Sequence, residues 1–257
     1  MTIEEMRQKK QELGYSYEQI AELANLPLST VQKVFGGITK SPRYDTLKAL
    51  EQVFDVFSTK MIAEPSIPYG SPKKQGEYTV EDYMNTPEDM RLELIDGVIY
   101  DMATPTIIHQ IIGFELCKVI RDYIQKKKGN CIPIVSPVSV QLDCDDKTIL
   151  EPDVVVVCDR DKFKNGIIFG APDFVVEVLS PSTRKKDLTI KHFKYMNAGV
   201  REYWIIDPVK KNIVVYDFET PDLPEIYTFE HKVPVKIFNG ECLVDFKEIF
   251  EYIEFLY

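Results

Sequence analysis

Through the first 57 residues, apolar positions recur with a helical period, and four helices follow from that pattern. Glu4–Leu13 makes the first, ended by Gly14, and Tyr17–Ala24 the second, with Ser16 three residues before Gln19 in the spacing of a capping box. Asn25 makes a turn. Pro27 then suits the first turn of a third helix, which runs to Gly36-Gly37. The fourth, Tyr44 to Val56, carries Leu47, Leu50, Val53 and Phe54 as its apolar stripe. The periodicity then stops. Residues 58–76 hold Pro65, Pro68 and Pro72 among Ser, Gly and Lys, the composition of a semi-extended linker.

From Tyr78 the pattern becomes mixed α/β, with a short helix starting near Thr79. The string LELIDGVIYDM predicts a β-hairpin turning at Asp96-Gly97, and a long helix follows over Thr106–Lys127. Cys131–Leu142, Asp153–Cys158 and Phe174–Leu179 read as strands, and Lys185–Asn197 as a helix closed by Gly199. The strand Glu202–Asp207, a hairpin through Asn212–Phe218, a turn at Asn239-Gly240 and a final helix capped by Asp245 complete the chain. Three parts result: helices over 1–57, a linker over 58–76 and an α/β domain over 77–257.

A content of 44% hydrophobic and 28% charged residues is that of a globular protein with real cores. The net charge of -10 weighs against a protein that coats nucleic acid non-specifically, while leaving room for local basic patches. Five scattered cysteines without a CxxC pair argue against a zinc site or a disulfide framework and for reduced thiols. No apolar run reaches the 18 or more residues of a membrane span, and the charged N-terminus lacks a signal-peptide core, so a cytoplasmic protein is expected.

The string YEQIAELANLPLSTVQKVFGG has the layout of a helix-turn-helix: helix, tight turn at Asn25, second helix. Val31 and Val34 are placed to face inward, leaving Leu28, Ser29, Gln32 and Lys33 outward. On the second helix of such a module, outward Gln can pair with adenine while Ser and Lys reach phosphates or guanine. The alternative is a helical bundle for protein contact, since residues 1–57 carry seven Lys and Arg against eight Asp and Glu.

In the α/β part, Glu177 sits inside the apolar strand APDFVVEVLS, where a carboxylate without a partner would cost several kcal/mol. Alternation puts Val175, Glu177 and Leu179 on one face and Phe174, Val176 and Val178 on the other. Asp153 opens the preceding strand, so antiparallel pairing would bring Asp153 and Glu177 to one rim, where a divalent cation such as Mg²⁺ suits them. The alternative is a strand-capping Asp and a salt-bridged Glu. Asp187, Lys191 and Tyr195, at i, i+4 and i+8, share a helix face. Lys191 then either points back at the carboxylates, as a cation for a phosphodiester transition state, or pairs with Asp187 at the surface. His109 lies near the start of the long helix, and Glu93 alternates between Leu92 and Leu94 with its direction open. The runs Lys126–Lys128 and Arg184–Lys186 are candidates for phosphate contact or for solvated faces.

Residues 78–216 resemble the Uma-two family of the PD-(D/E)XK restriction-endonuclease-like superfamily. The matching strings are ELIDGVIYDM, the His109 helix, EPDVVVV, GAPDFVVEVLSPSTRKKD, the Lys191-to-Tyr195 helix and AGVREYWIIDP. The N-terminal stretch resembles repressor-like helix-turn-helix modules. The resemblance implies a mixed sheet flanked by helices and phosphodiester hydrolysis dependent on Mg²⁺ or Mn²⁺. It also implies that Asp153, Glu177 and the carbonyl of Val178 hold metal, and that Asp153, Glu177, Lys191, His109 and Glu93 form the catalytic set. The superfamily expects a lysine two residues after Glu177, where this chain has Leu179, and Lys191 is the matching residue. The function so implied is a DNA endonuclease, acting as a homodimer. Its rival is a DNA-binding regulator whose nuclease-like domain only dimerises or senses a ligand.

Overall fold

The computed structural model describes residues 2–12, 15–39, 42–54, 73–87, 90–180, 184–220 and 222–257. It divides into two compact units, Met1–Ile62 with Asp222–Pro224, and Ala63–Pro221 with Glu225–Tyr257. Most of the expected linker, 58–72, and the end of the fourth predicted helix lie outside the described residues.

The first unit holds α1 (Ile3–Glu12), α2 (Tyr17–Leu23), α3 (Leu28–Phe35) and α4 (Tyr44–Phe54). Both halves of the Ser16–Gln19 capping box form: the Ser16 N–H donates to Gln19 Oε1 at 2.7 Å and the Gln19 N–H to Ser16 Oγ at 3.2 Å. Asn25 takes φ 51°, the left-handed conformation that a short polar side chain tolerates in a tight turn. Met6, Ile20, Val31, Val34, Leu50 and Phe54 are buried together with Tyr15 and Phe35, which is the stripe that the periodicity selects.

The second unit opens with α5 (Val80–Met84), started by a capping box between Thr79 and Asp82. The hairpin β1 (Leu92–Ile95) and β2 (Val98–Asp101) turns where expected, with φ 50° at Asp96 and 75° at Gly97. A Cβ at Gly97 would lie 2.4 Å from the Gly76 carbonyl oxygen, so both the turn and the crowding require glycine. Thr106 caps α6 (Ile107–Lys127), which leads to β3 (Ile132–Val135).

Here one expectation fails. Cys131–Leu142 is not a single strand: β3 ends at Val135, ahead of Pro137, and β4 (Val140–Gln141) joins a second, small sheet. β5 (Val154–Val157) returns to the main sheet, and the hairpin β6 (Phe163–Lys164) and β7 (Ile167–Phe169), too short to show a period, pairs with β4. The helix predicted over Lys185–Asn197 is also not regular. After β8 (Phe174–Val178) come a helical turn α7 (Arg184–Lys186), a π-helical segment Asp187–Lys191 and α8 (His192–Ala198), ended by Gly199 at φ 90°. Next are β9 (Glu202–Asp207), β10 (Asn212–Asp217), β11 (Glu225–Thr228), β12 (Lys232–Val235), β13 (Cys242–Asp245) and α9 (Phe246–Ile253).

The main sheet has the order β11-β10-β9-β8-β5-β3, with only the β8–β9 pair parallel. A parallel pair needs a crossover, and the segment carrying Lys191 supplies it. One face of the sheet, with Val154, Val156, Phe174, Val176, Trp204 and Ile206, packs against Ile112, Leu116 and Ile120 of α6 and Ile249 and Ile253 of α9. Each such side chain contributes roughly 1.5–3 kcal/mol on burial.

The expectation of reduced thiols is overturned for two cysteines: Cys131 and Cys158, flanking the paired strands β3 and β5, form a disulfide. The antiparallel register sets Ile132 opposite Val157, which carries the next residues out as facing neighbours. Cys117, Cys144 and Cys242 are free thiols. Among the described residues, no helix is long and apolar enough to cross a membrane.

Candidate active site

The antiparallel register of β5 and β8 pairs Val154 with Val176, so one step on Asp153 comes to the end of β8 that holds Glu177. The expected convergence is therefore present. Asp153 Oδ2 accepts a hydrogen bond of 2.7 Å from the Val178 N–H and lies 3.0 Å from His109 Nε2. His109 gets there because the Thr106 cap starts α6 three residues earlier, its hydroxyl accepting from the His109 N–H at 3.3 Å. The histidine is thus neither a core residue nor solvent-facing: its side chain is 12% exposed and reaches the rim of the sheet.

Glu177 lies on the face opposite α6, buried among polar groups of the crossover. Its Oε1 accepts from Lys191 Nζ at 2.8 Å and from the Tyr195 hydroxyl at 2.7 Å. Lys191 Nζ also lies 2.7 Å from Glu93 Oε1 and 3.6 Å from Asp187 Oδ1, and the side chain is only 2% exposed. The surface-pair alternative for Lys191 is thereby removed, although its i, i+4 contact with Asp187 is present. The spacing of Asp187, Lys191 and Tyr195 does put them on one face, with the π segment covering the first two.

Glu93 faces inward and is fully buried. An isolated bridge between Leu94 and Ile149 ties its hairpin to the segment that leads into β5, and Glu93 Oε1 accepts from the Glu151 N–H at 3.0 Å. Its Oε2 is held by the ammonium of Lys186. Lys186 was not singled out from the sequence, and neither was the hydrogen bond of Tyr195. Lys186 read as part of a basic run, yet Arg184 pairs with Asp207 at 2.7 Å and Lys186 turns into the site. A run of like charges carries no sign of which member turns inward.

The charges shift one another in directions that geometry explains. Burial alone would raise the Glu93 carboxyl, but Lys191 and Lys186 outweigh it and hold Glu93 below the ordinary glutamate value. Burial pushes Glu177 well above that value, with Asp187, Asp153 and Glu93 adding to the push against Lys191. For Lys191, burial works toward neutrality and is overcome by its three carboxylate neighbours, so it stays charged. Two buried ammonium groups, Lys186 and Lys191, thus stand among four buried carboxylates, Glu93, Asp153, Glu177 and Asp187. The carboxyl groups of the cluster outnumber its ammonium groups by two.

In the helical unit, Leu28, Ser29, Gln32 and Lys33 are exposed on α3, while Val31 and Val34 are buried, as the pattern predicted.

A mixed sheet bearing a carboxylate pair and a buried lysine at its rim, in one chain with a helix-turn-helix unit, defines a restriction-endonuclease-like protein with a second, helical module. Residues 80–240 match the family model Uma2, described as "Putative restriction endonuclease", and residues 3–56 match a helix-turn-helix model. The chain belongs to the Uma2 family. It is 31% identical over 160 residues to the uncharacterized protein slr1290 of Synechocystis sp., an alignment covering 61% of this chain and 80% of that one. A crystal structure titled as a putative nuclease belonging to DUF820, from Anabaena variabilis, superposes with a TM-score of 0.57 at 23% identity. The match covers 68% of this chain and 98% of that one, and the likeness concerns the fold.

Proposed function

We propose that this chain is a metal-dependent endonuclease that cuts DNA, brought to its substrate by the helix-turn-helix unit. The observation that carries the reading is the buried cluster around Glu177: the converging carboxylates of Asp153 and Glu177, a charged lysine shared between Glu177 and Glu93, and more buried carboxyls than ammonium groups, an excess that a divalent cation would offset.

The donor set fits such an ion. The carboxylates of Asp153 and Glu177 and the backbone carbonyl of Val178 are hard oxygen donors, which Mg²⁺ or Mn²⁺ prefers. Among the described residues no group of three or more His, Cys, Asp or Glu is gathered to hold an ion. Two carboxylates suffice for Mg²⁺, which usually keeps several waters. When bound, the ion would supply an activated water and positive charge at the scissile phosphate.

The chain's own residues do the rest. His109 and the Val178 N–H orient Asp153 through its Oδ2. Lys191 supplies a fixed cation where a phosphodiester gains charge in its transition state, in a site where water is scarce. Glu93 and Tyr195 hold Lys191 and Glu177 in place. On α3, outward Gln32 and Lys33, with Ser29 and Leu28, would meet the major groove. The proposal extends to a homodimer, since two strands need two cuts, and to a cytoplasmic setting.

The test is cleavage of duplex DNA, single-stranded DNA and RNA with Mg²⁺, with Mn²⁺ and with chelator, beside Glu177→Ala. Metal-dependent cutting of DNA that is lost in Glu177→Ala is the expected result. DNA binding without cutting of any substrate would favour the regulatory alternative instead.

A further inference from the structure

Glu93 is where the two lysines of the site meet. Its Oε1 takes Lys191 Nζ at 2.7 Å and the Glu151 N–H at 3.0 Å, and its Oε2 takes the Lys186 ammonium. Both oxygens of a fully buried carboxylate are therefore engaged inside the protein. A metal ion taking Glu93 as a ligand would have to break a buried ion pair, which is strongly unfavourable. Glu93 is thus better suited to positioning cations than to holding a metal. Lys186 closes α7, is 5% exposed, and lies over the Tyr100 ring with its Nζ 5.4 Å from the centroid. The contacts run in series from Lys186 to Glu93, to Lys191, to Glu177.

We infer that Lys186 is a positioning residue that sets the metal affinity of the Asp153–Glu177 pair through Glu93 and Lys191. The inference rests on the metal reading given above. A lysine on Glu177 competes with a divalent ion for the same carboxylate. While Lys186 occupies one oxygen of Glu93, that carboxylate pulls less on Lys191, and Lys191 remains shared with Glu177. Removing the Lys186 charge acts twice in one direction: Glu93 draws Lys191 toward itself and unloads Glu177, and the cluster becomes more negative by one charge. Both changes favour the divalent ion. Removing the Glu93 charge acts in the opposite sense, leaving Lys191 wholly to Glu177.

The experiment is titration of the full-length protein with Mn²⁺ by calorimetry at low salt, comparing wild type with Lys186→Met, Lys186→Arg, Glu93→Gln and Glu177→Ala. Lys186→Met should bind Mn²⁺ at least about ten-fold more tightly, the lower end of what one buried charge near a divalent ion is worth. Lys186→Arg, which keeps the charge, should stay near wild type, and Glu93→Gln should bind more weakly. Should Lys186→Met fail to fold, the opposite sign in Glu93→Gln and the same tightening in Lys186→Gln read the relation. Wild-type binding that is lost in Glu177→Ala but unchanged in Lys186→Met and Lys186→Gln overturns the inference alone. So does equal weakening in Lys186→Met and Lys186→Arg. A wild-type protein that binds no Mn²⁺ overturns the metal reading, and the inference with it.

Discussion

Replacing Lys191 by methionine keeps most of the side-chain volume and removes one charge from the middle of the buried cluster. Lys191 Nζ lies 2.7 Å from Glu93, 2.8 Å from Glu177 and 3.6 Å from Asp187, and the side chain is 2% exposed. A surface helix pair with Asp187 would be worth only about 0.3–0.5 kcal/mol. Breaking a buried pair by removing one partner costs about 3–5 kcal/mol, because the remaining charge stays desolvated. The burial decides between these figures, and the larger is expected at pH 8 by urea denaturation. The deficit should depend on pH. Without Lys191, the Glu177 carboxyl, already raised by burial, loses the cation that opposes the rise and climbs further above its unfolded value. Groups raised in this way stabilise below the unfolded pKa and lose that contribution as pH rises through the folded one. The deficit should therefore widen between pH 5 and pH 8, while the share owed to Glu93, whose carboxyl is held down to about 2 in the wild type, is present at both. Millimolar Mg²⁺ should recover part of the loss, since an ion that binds only the folded chain stabilises it. A change under 0.5 kcal/mol at pH 8, or an equal deficit at pH 5 and pH 8, would refute the reasoning.

His192 offers an independent pH test: it is buried against the rings of Tyr216, Phe193, Phe218 and Tyr203, and neither ring nitrogen has a hydrogen-bond partner among the described residues. Burial lowers its pKa to about 4 from the ordinary 6.5, so the unfolded chain takes up the proton first and stability falls as pH drops through that window. The contribution lost between pH 7.5 and pH 5 is about 2 kcal/mol, and His192→Phe should lose that much less than wild type over the same range; parallel profiles would sink the assignment. In the helical unit, Gln32→Ala with Lys33→Ala should weaken binding to duplex DNA roughly ten-fold or more, while cutting of short substrates is unchanged, because a good base contact is worth about 1–3 kcal/mol. Unaltered affinity at moderate salt would move α3 into the class of protein contacts.

Much of this molecule was legible along the chain because its signals are local. The Asp96-Gly97 turn, the Thr106 start of α6, the Asp245 cap and the outward face of α3 each follow from a few neighbouring residues. The pairing of Asp153 with Glu177 was also within reach, since it needed only two apolar strands and an antiparallel register. Local patterns left Glu93 and Lys191 undecided between solvent and core, and read Lys186 as one member of a basic run. Each of these turns inward because another element, distant in sequence, brings the opposite charge: the hairpin of Glu93 meets a crossover nearly a hundred residues later.

The sequence by itself determined most of the helices and the strands at the centre of the main sheet, the division of their faces and the residue types capable of metal chemistry, because periodicity and capping act within a few residues. The tertiary structure alone decided the break after β3 at Pro137, the π segment beneath Lys191, the Cys131–Cys158 bridge and the sharing of Glu93 by two lysines. Those features depend on which charges are desolvated together and which chain ends meet across the sheet. A buried ion pair is made by two segments that carry no trace of each other in their own patterns, so only their packing fixes it.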